Sequence, residues 1–554
     1  MTKNNSKEGD TVTIRDYMKD HLLFLDGATG TMLQKAGLAR GERPETRNLT
    51  HPDLIRSVAA AYFDAGSNVV CANTFGANRL KFGSDPEEVI AAGLRLAAEA
   101  RAQSSAPQEK FIALDVGPTG RLLEPYGDLD FDEAVDAFAE VARLGAKHGA
   151  DLIYIETMTD CYETKAALLG AKEGCDLPIF VSNAYGSDER LLTGTTPEAM
   201  VALLEGMGVD AVGANCSFGP QQLQNVVRRL LSVASVPVLF KPNAGLPRRE
   251  GNATVYDISP QQFAQGVVSM MKEGVRIAGG CCGTTPEHLS SLTAAAAGLY
   301  PLPVEGKGRC VIASPSRVVS FDGDPVIIGD GINPKAKEDL RQALQEEDLD
   351  SLLDEGLDQR DAGAHVLNVN AAVPDSDEPS LLTQAVCHLQ SMVHLPLQIH
   401  TSDPIALESA LRHNNGKALI RALDGTEASM NAVFPLMKRY GAVAVARTEA
   451  ESGIPATAEE RVALALRILK RGEESGVFKH DLLFDPLADA VGLEAVRRLS
   501  ELGCKTFWDL SDLPQGEAPA ATLTRALEQG LSAAQFDPND SELMNACDSF
   551  VRRG

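Results

Sequence analysis

Three of the ten cysteines lie in glycine-rich motifs that could bring their sulfurs together. Cys281 and Cys282 are adjacent in the motif GGCCGTT at 279–285, and Cys216 lies in GANCS at 213–217. Neighbouring side chains of a strand point to opposite faces, so adjacent cysteines bind one ion only where glycines let the chain turn. Three thiolates suit Zn²⁺ and leave its fourth tetrahedral position for a substrate, although soft ligands also admit Cu(I).

An open zinc site of this kind predicts alkylation of a thiol. The metal removes the proton of a bound thiol and holds a thiolate at neutral pH. The competing use is hydrolysis by metal-bound water, which usually needs histidine and carboxylate ligands, and no H-E-x-x-H motif occurs. Cys216, Cys281 and Cys282 are therefore predicted to be metal ligands and catalytic residues. The other seven cysteines are interpreted as small buried hydrophobic residues.

The elements that must position these cysteines repeat along residues 24–283. Eight continuous apolar runs alternate with helix-like stretches, which is typical of parallel strands buried on both faces and predicts a (β/α)₈ barrel. Every run ends in a polar residue, and active sites of such barrels lie at the carboxyl ends of the strands. One such residue is also explained as a helix cap, but eight of eight favour a site. These residues are Asp26, Asn73-Thr74, Asp115, Glu156-Thr157, Asn183, Asn215-Cys216, Asn243 and Cys281-Cys282.

The remainder of the chain repeats the same pattern. A Pro/Gly/Ser-rich stretch at 301–322 is predicted to link two domains, residues 1–300 and residues 323–554. Eight further apolar runs between 326 and 536 predict a second barrel, so the expected fold class is α/β with two tandem (β/α)₈ TIM barrels. Because only about 20 residues follow the last run, no third domain is expected within these 554 residues.

Five motifs of the first barrel carry a resemblance to a known family. DGATGT at 26–31, ANTFGAN at 72–78, IETM at 155–158 and the two cysteine motifs resemble the homocysteine-binding domain of cobalamin-dependent methionine synthases. The same domain occurs in other homocysteine S-methyltransferases, including the betaine-dependent one. The resemblance covers residues 15–300 approximately.

The resemblance implies roles for individual residues. Zinc would be held by the three cysteines, with homocysteine sulfur as the fourth ligand. The amino-acid end would be held by carboxylates that suit its ammonium and by turn N–H groups that suit its carboxylate. Asn243 could approach the metal when substrate is absent. The candidate substrate-binding residues are Asp26, Gly27, Ala28, Thr29, Asn73, Glu156, Asn215 and Asn243.

The second barrel resembles the pterin-binding domain of the same synthases, with departures. Asp330-Gly331 stands where the family has Glu-Arg, Asn368 and His400 replace aspartates, and Asp485 is kept. Each lost carboxylate would leave a ring N–H unpaired at a cost of about 1–3 kcal/mol. Three interpretations stay open: methyltetrahydrofolate binding, a docking scaffold, or a changed ligand such as another methylated compound or a corrinoid protein. The candidate cofactor-binding residues are Asp330, Asn333, Asn368, Asp485 and Asp512.

The leading hypothesis is zinc-dependent methyl transfer to homocysteine, which gives methionine. In this family branch the donor is methylcobalamin, so we expect a corrinoid partner protein or a cobalamin domain outside this chain. One alternative is a direct sulfonium or betaine donor, and another is a non-catalytic module that binds metal or thiols.

Composition excludes several other classes of partner. The net charge of −26 disfavours nucleic acid and anionic membranes, and 44% hydrophobic residues are ordinary for a globular protein. No apolar run reaches the roughly 18 residues that span a bilayer, and residues 1–20 lack the apolar core of a signal peptide. We therefore expect a cytoplasmic protein without nucleic-acid or membrane partners.

Overall fold

The computed structural model describes residues 12–39, 41–83, 85–250, 253–335 and 337–553. The chain divides into two compact units. The first comprises residues 1–193 and 209–306, and the second comprises residues 194–208 and 307–554.

The first unit contains an eight-stranded parallel sheet in the order β1-β10-β7-β6-β5-β4-β3-β2. A parallel bridge between Leu25 and Val69 joins the two edges of the sheet, so the barrel is nearly closed. The strands β8 and β9 form a separate antiparallel hairpin. The strands are β1 (Leu23–Phe24), β2 (Val69–Cys71), β3 (Phe111–Val116), β4 (Leu152–Met158), β5 (Ile179–Asn183), β6 (Ala211–Cys216), β7 (Val238–Pro242), β8 (Arg248–Glu250), β9 (Ala253–Val255) and β10 (Ile277–Ala278).

Helices follow the strands of this barrel. Many begin at a side-chain cap or at a proline in the first turn, as in the helix that starts at Pro52. The helices are α1 (Ile14–Asp20), α2 (Thr29–Lys35), α3 (Arg47–Thr50), α4 (Pro52–Asp64), α5 (Arg79–Phe82), α6 (Glu87–Gln103), α7 (Phe131–Lys147), α8 (Cys161–Gly174), α9 (Pro197–Gly206), α10 (Gln224–Val233), α11 (Pro260–Glu273) and α12 (Pro286–Ala295), with a 3₁₀ turn at Pro44–Thr46. Helix α9 is part of the second unit.

The interior of the first barrel is packed with apolar side chains. Ala113, Tyr154 and Leu239 are fully buried there, together with Leu23 and Ile277. Side chains two residues apart on a strand share a face, so the residues that follow these positions by two also point inward. The packed interior therefore supports a layer of polar residues at the carboxyl ends of the strands.

The second unit contains a closed eight-stranded parallel barrel in the order β13 to β20. It is preceded by the antiparallel hairpin β11–β12, which lies within the segment predicted as a linker. The strands are β11 (Val311–Ala313), β12 (Val318–Ser320), β13 (Val326–Ile332), β14 (Val366–Val369), β15 (Leu397–His400), β16 (Leu419–Asp424), β17 (Val443–Arg447), β18 (Leu482–Asp485), β19 (Lys505–Asp509) and β20 (Ala533–Phe536).

Helices also alternate with the strands of the second barrel, around a core that contains Ile328, Val366 and Phe507. They are α13 (Glu338–Gln345), α14 (Leu349–Asp361), α15 (Glu378–Met392), α16 (Pro404–His413), α17 (Glu427–Tyr440), α18 (Ala458–Ser475), α19 (Ala490–Glu501), α20 (Pro519–Glu528) and α21 (Ser541–Val551), with 3₁₀ turns at Lys479–Asp481 and Leu510–Asp512.

The predicted fold class of two tandem α/β barrels is confirmed. Each of the predicted apolar runs overlaps a strand of one barrel. Among the described residues, the helices are too short or too polar to cross a membrane.

Candidate metal centre and pocket

The structure brings the three predicted cysteines together at the carboxyl ends of the first barrel's strands. Cys216 is the last residue of β6, and Cys281 and Cys282 follow β10. The sulfurs of Cys216 and Cys282 are 3.9 Å apart. All three sulfurs lie within 4.8 Å of one another.

The backbone turns sharply at both cysteine motifs. Cys216 and Ser217 have φ of 59° and 55°, a left-handed conformation that is strained for residues other than glycine. Gly283 has φ of 82°, so the chain turns immediately after Cys282. The turn removes the alternation of a strand, and adjacent cysteines can therefore face the same site.

The three thiols interact strongly with one another. Hydrogen bonds from Cys281 and Cys282 stabilise the Cys216 thiolate and lower the pKa of Cys216 to about 3. The Cys216 thiolate in turn raises the pKa of Cys281 to about 11, and it raises the pKa of Cys282 further. Without a cation, one of the three thiols loses its proton easily, and the resulting negative charge opposes deprotonation of the other two.

The sulfur geometry fits a tetrahedral zinc ion. Zn–S bonds of about 2.3 Å place two tetrahedral sulfur ligands about 3.8 Å apart. The 3.9 Å separation between the sulfurs of Cys216 and Cys282 is close to that distance. A divalent cation would also supply the charge that three neighbouring thiolates need.

A cavity of about 600 Å³ opens on the three cysteines. Its wall contains most of the predicted substrate residues, namely Asp26, Gly27, Ala28, Thr29, Asn73 and Glu156. Asn215 and Asn243 do not line this cavity. The structure therefore gathers residues that are up to 256 positions apart around one pocket, as the hydrogen bond from Ala28 to Thr284 illustrates.

Buried charges form the floor of this pocket. The Lys241 ammonium lies 3.0 Å from Glu156 Oε2 and 3.5 Å from Asp26 Oδ1. Asp26 Oδ2 accepts a hydrogen bond from the backbone N–H of Cys71 at 2.8 Å. Asp115 also lines the pocket, and its Oδ1 has no hydrogen-bond partner among the described residues.

Lys241 is a buried cation of this pocket that the sequence motifs do not indicate. Leu239 packs in the barrel interior, so Lys241, two residues later on β7, points inward as well. The same spacing relates Tyr154 to Glu156 and Ala113 to Asp115. Counting two residues from each inward apolar side chain would have found Lys241.

Burial raises the pKa values of the pocket carboxyls. It raises the pKa of Asp26 to about 6, against the opposing effect of Lys241. Burial also raises the pKa of Glu156 and, together with the Glu156 charge, the pKa of Asp115. The neighbouring acids hold the pKa of Lys241 well above its usual value despite burial.

The turn at residues 27–29 is fixed against the cysteine loop. A β-carbon on Gly27 would lie 2.7 Å from Thr284 Oγ1, so only glycine fits this approach. Ala28 N–H donates to Thr284 Oγ1 at 3.2 Å, and the same hydroxyl donates to the Cys281 carbonyl at 2.7 Å. Thr284 thus couples the two loops, a role that the sequence did not reveal.

The three predicted asparagines have different surroundings. Asn73 lines the pocket, and its amide donates to the Pro44 carbonyl and to Asn48. Asn215 is buried, and its Nδ2 lies 3.9 Å from Cys281 Sγ. Asn243 is buried at the end of β7, and its Oδ1 has no hydrogen-bond partner among the described residues.

Part of the predicted cofactor set of the second barrel is hydrogen-bonded together. Asp330 Oδ1 accepts from Asn368 at 2.7 Å, from Gln535 at 2.9 Å and from Asn333 at 3.3 Å. Gln398 Nε2 continues the network to Asn368 Oδ1 at 2.8 Å and to Gln535 Oε1 at 2.6 Å. The donors and acceptors of these side chains are therefore largely directed at one another.

The carboxyl ends of the second barrel's strands form its mouth. Besides the amide network, two arginine–aspartate pairs lie at this mouth. Arg421 on β16 hydrogen-bonds Asp509 on β19, and Arg447 on β17 donates to Asp512 at 3.0 Å. Asp509 points inward at the strand end, whereas the predicted Asp512 lies in the turn that follows. Asp485 is fully buried, its Oδ2 is unpartnered among the described residues, and burial raises its pKa to about 6.

His400 lies near the pair formed by Arg421 and Asp509. Its Nδ1 has no hydrogen-bond partner in the described part of the chain. Burial and the charge of Arg421 lower the pKa of His400 to about 3, so the ring is neutral.

Comparison with known proteins assigns the first barrel. Residues 23–296 match the family described as homocysteine S-methyltransferase. These residues belong to that family. The resemblance expected from the cysteine and DGATGT motifs is thereby confirmed.

The similarity to curated relatives extends over both barrels. Methionine synthase from Mycobacterium tuberculosis is 28% identical over 547 residues, which cover 91% of this chain and 46% of that protein. Methionine synthase from Mycobacterium leprae is 29% identical, covering 94% of this chain and 47% of that protein. The chain thus spans slightly less than half the length of these relatives.

A solved structure is similar to a part of the chain. The metallated form of the homocysteine methyltransferase MmuM from Escherichia coli is 25% identical, with a TM-score of 0.43. The match covers 50% of this chain and 96% of that chain.

Proposed function

We propose that the first barrel transfers a methyl group to the thiol of homocysteine, giving methionine, with zinc held by Cys216, Cys281 and Cys282. The observation that carries this proposal is the cluster of three sulfurs in the wall of a cavity that buried carboxylates also line. The sulfur spacing fits zinc and leaves one tetrahedral position free for a substrate. When bound, zinc would supply the positive charge that keeps the substrate sulfur a thiolate at neutral pH.

The pocket charges suit the amino-acid end of homocysteine. Asp26, Asp115 and Glu156 carry three negative charges when ionised, and Lys241 neutralises one of them. Asp26 and Asp115 line the pocket, and we propose that their carboxylates accept hydrogen bonds from the substrate ammonium. We propose that the turn at residues 27–29 receives the substrate carboxylate.

The chain's own groups then act by binding and orientation. The ammonium and carboxylate contacts fix the substrate backbone, so its sulfur points at the cysteines and its lone pair at the open part of the cavity. The sulfur attacks the methyl carbon, an S–C bond forms, and the bond from carbon to the donor breaks with its electron pair on the donor. No protein group has to move a proton during this step.

For the donor, we propose a methylcorrinoid carried by a separate domain or protein. Support comes from the similarity to methionine synthases, whose matched part is less than half of each protein. The direct donors that remain as alternatives are a sulfonium compound and betaine, and they are distinguished by assay.

For the second barrel, we propose that methyltetrahydrofolate is not the ligand. Asp330, Asn368 and Gln535 are hydrogen-bonded to one another, and Arg421 is paired with Asp509. A pterin ring would have to break these contacts before it could form its own. A scaffold role or a different polar ligand remains, and the unpartnered atoms of Asp485 and His400 favour the polar ligand.

The test is a donor panel with the full zinc-loaded chain and homocysteine. We expect methionine from methylcobalamin and none from betaine or S-methylmethionine within the same time. Turnover with a sulfonium or betaine alone would overturn the corrinoid donor. No methionine from any donor, with no homocysteine binding by calorimetry, would overturn the proposed reaction itself.

A further inference from the structure

Among the described residues that line the cavity of the first barrel, one is aromatic. This residue is Phe75, which follows β2 and is half-buried. Its ring lies against the backbone of Gly117, where a β-carbon would be 2.4 Å from Cε2 and 2.5 Å from Cζ of the ring. Gly117 N–H also donates to the Phe75 carbonyl at 2.8 Å. The ring is therefore held in a fixed position in the cavity wall.

A lysine ammonium already lies over the face of this ring. Lys81 Nζ is 5.4 Å from the ring centroid, within the roughly 6 Å of a cation–π contact. The same Nζ donates to the Pro118 carbonyl at 2.7 Å. Because this partner is an uncharged carbonyl, it orients the ammonium without cancelling its positive charge.

The stem of Lys81 is also held by its surroundings. Lys81 lies on α5, and its backbone N–H donates to the side chain of Asn78 at 2.9 Å, which caps this helix. β-Carbons on Gly76 and Gly120 would lie 3.5 Å from Cδ and 3.3 Å from Cε of Lys81. The stem therefore passes close to both glycine backbones, and these contacts keep the ammonium at the ring.

Acidic side chains outnumber basic ones in the wall of this cavity. The acids are Asp26, Glu42, Glu45, Asp115 and Glu156, and the bases are Arg43, Lys81 and Lys241. An aromatic face in an acidic wall favours a ligand that carries a positive charge. The Lys81 ammonium lies over the face that such a ligand would use.

We infer that Lys81 is a specificity-determining residue that excludes methyl donors with a full positive charge, such as sulfonium and quaternary ammonium compounds. The inference rests on the proposed methyl transfer and concerns its donor. A cationic donor would meet a like charge at Phe75 and would find the aromatic face already occupied. A donor without a net positive charge meets neither obstacle.

The test compares two probes of the same shape, choline and dimethylbutanol, in which carbon replaces the charged nitrogen. Calorimetry measures their binding to the full zinc-loaded chain with homocysteine present. The chains are wild type, Lys81→Met, Lys81→Gln and the control Lys272→Met, at an exposed lysine of α11. We expect both uncharged variants at position 81 to bind choline at least about tenfold more tightly than wild type, because the repulsion is removed and the aromatic face is freed. The uncharged probe should change by less than about twofold, and Lys272→Met should match wild type.

A double variant locates the choline site. Adding Phe75→Leu to Lys81→Met removes the ring, so the gain in choline affinity should be lost. A gain that survives without the ring would overturn the inference, because choline would then bind elsewhere.

Zinc content and homocysteine binding are measured on the same samples to separate the two claims. Choline affinity that is equal in wild type and in both uncharged variants would overturn the inference while the proposed function stands. An equal gain for both probes would also overturn it, since the variants would then only have enlarged the cavity. Absence of zinc and of homocysteine binding in wild type would overturn the proposed function, and the inference with it.

Discussion

The two barrels share one fold and one strand order, but their mouths are chemically different. In the first, a cavity of about 600 Å³ is lined by three cysteines and by the carboxylates of Asp26, Asp115 and Glu156. In the second, arginines on β16 and β17 reach aspartates across the mouth, and amide side chains bind one another. The fold therefore places side chains at the carboxyl ends of the strands in both barrels. The identity of these inward-pointing residues decides whether they pair with one another or can bind a ligand.

The largest expected effect comes from removing one cysteine of the first barrel, which should leave the second barrel unchanged. Cys281→Ser should lower bound zinc from about one equivalent to below about 0.1, and methyl transfer should fall by about a thousandfold or more, because two thiolates no longer hold the metal. Cys504→Ser, at a buried cysteine of the second barrel, is the matched control and should keep both. Retention of zinc by Cys281→Ser would show that other ligands bind it.

The next effect concerns charge balance below the cysteines. Lys241→Met leaves three buried carboxyls without a cation and should destabilise the chain by about 3–5 kcal/mol at pH 7. In the wild-type fold, burial raises the pKa of Asp26 to about 6 although Lys241 acts in the opposite direction. Loss of Lys241 raises this pKa further, so acidification from pH 7 favours the folded state of the variant. Thermal unfolding at pH 7 and pH 5 should therefore show a smaller loss at pH 5. Equal losses would mean that Lys241 acts through packing alone.

A smaller effect appears in binding of the amino-acid end. Homoserine carries the ammonium and carboxylate of homocysteine without its thiol, so its affinity isolates these contacts from the metal. Below about pH 6 its Kd should rise by up to about tenfold per pH unit, because Asp26 becomes protonated and neutral. Calorimetry should show this break in wild type and lose it in Asp26→Asn. A pH-independent Kd would remove Asp26 from the site.

The smallest expected effect lies in the second mouth. Wild type should show no saturable binding of methyltetrahydrofolate in calorimetry. Arg421→Met, which removes the arginine partner of Asp509, should leave homocysteine methylation within about twofold of wild type, since Arg421 belongs to the other barrel. Saturable folate binding by wild type would show that the second barrel also binds a ligand, against the inference from its paired side chains.

Sequence patterns predicted the barrels and the sulfur cluster, since both depend on local features. Continuous apolar runs give buried parallel strands, and glycines beside Cys281 and Cys282 permit the turn. Lys241 and Thr284 were missed because their contacts depend on partners distant in the chain, such as Asp26 for Lys241. Arg421 was missed because an arginine in a strand gives no sign of the aspartate opposite it.

Zinc K-edge X-ray absorption of the loaded full chain, with and without homocysteine, shows whether the substrate thiol binds the metal. We expect three sulfur ligands at about 2.3 Å in the free protein and four after homocysteine is added, with homoserine leaving the number at three. A spectrum with three sulfurs that homocysteine does not change would contradict direct binding of the substrate thiol to the metal.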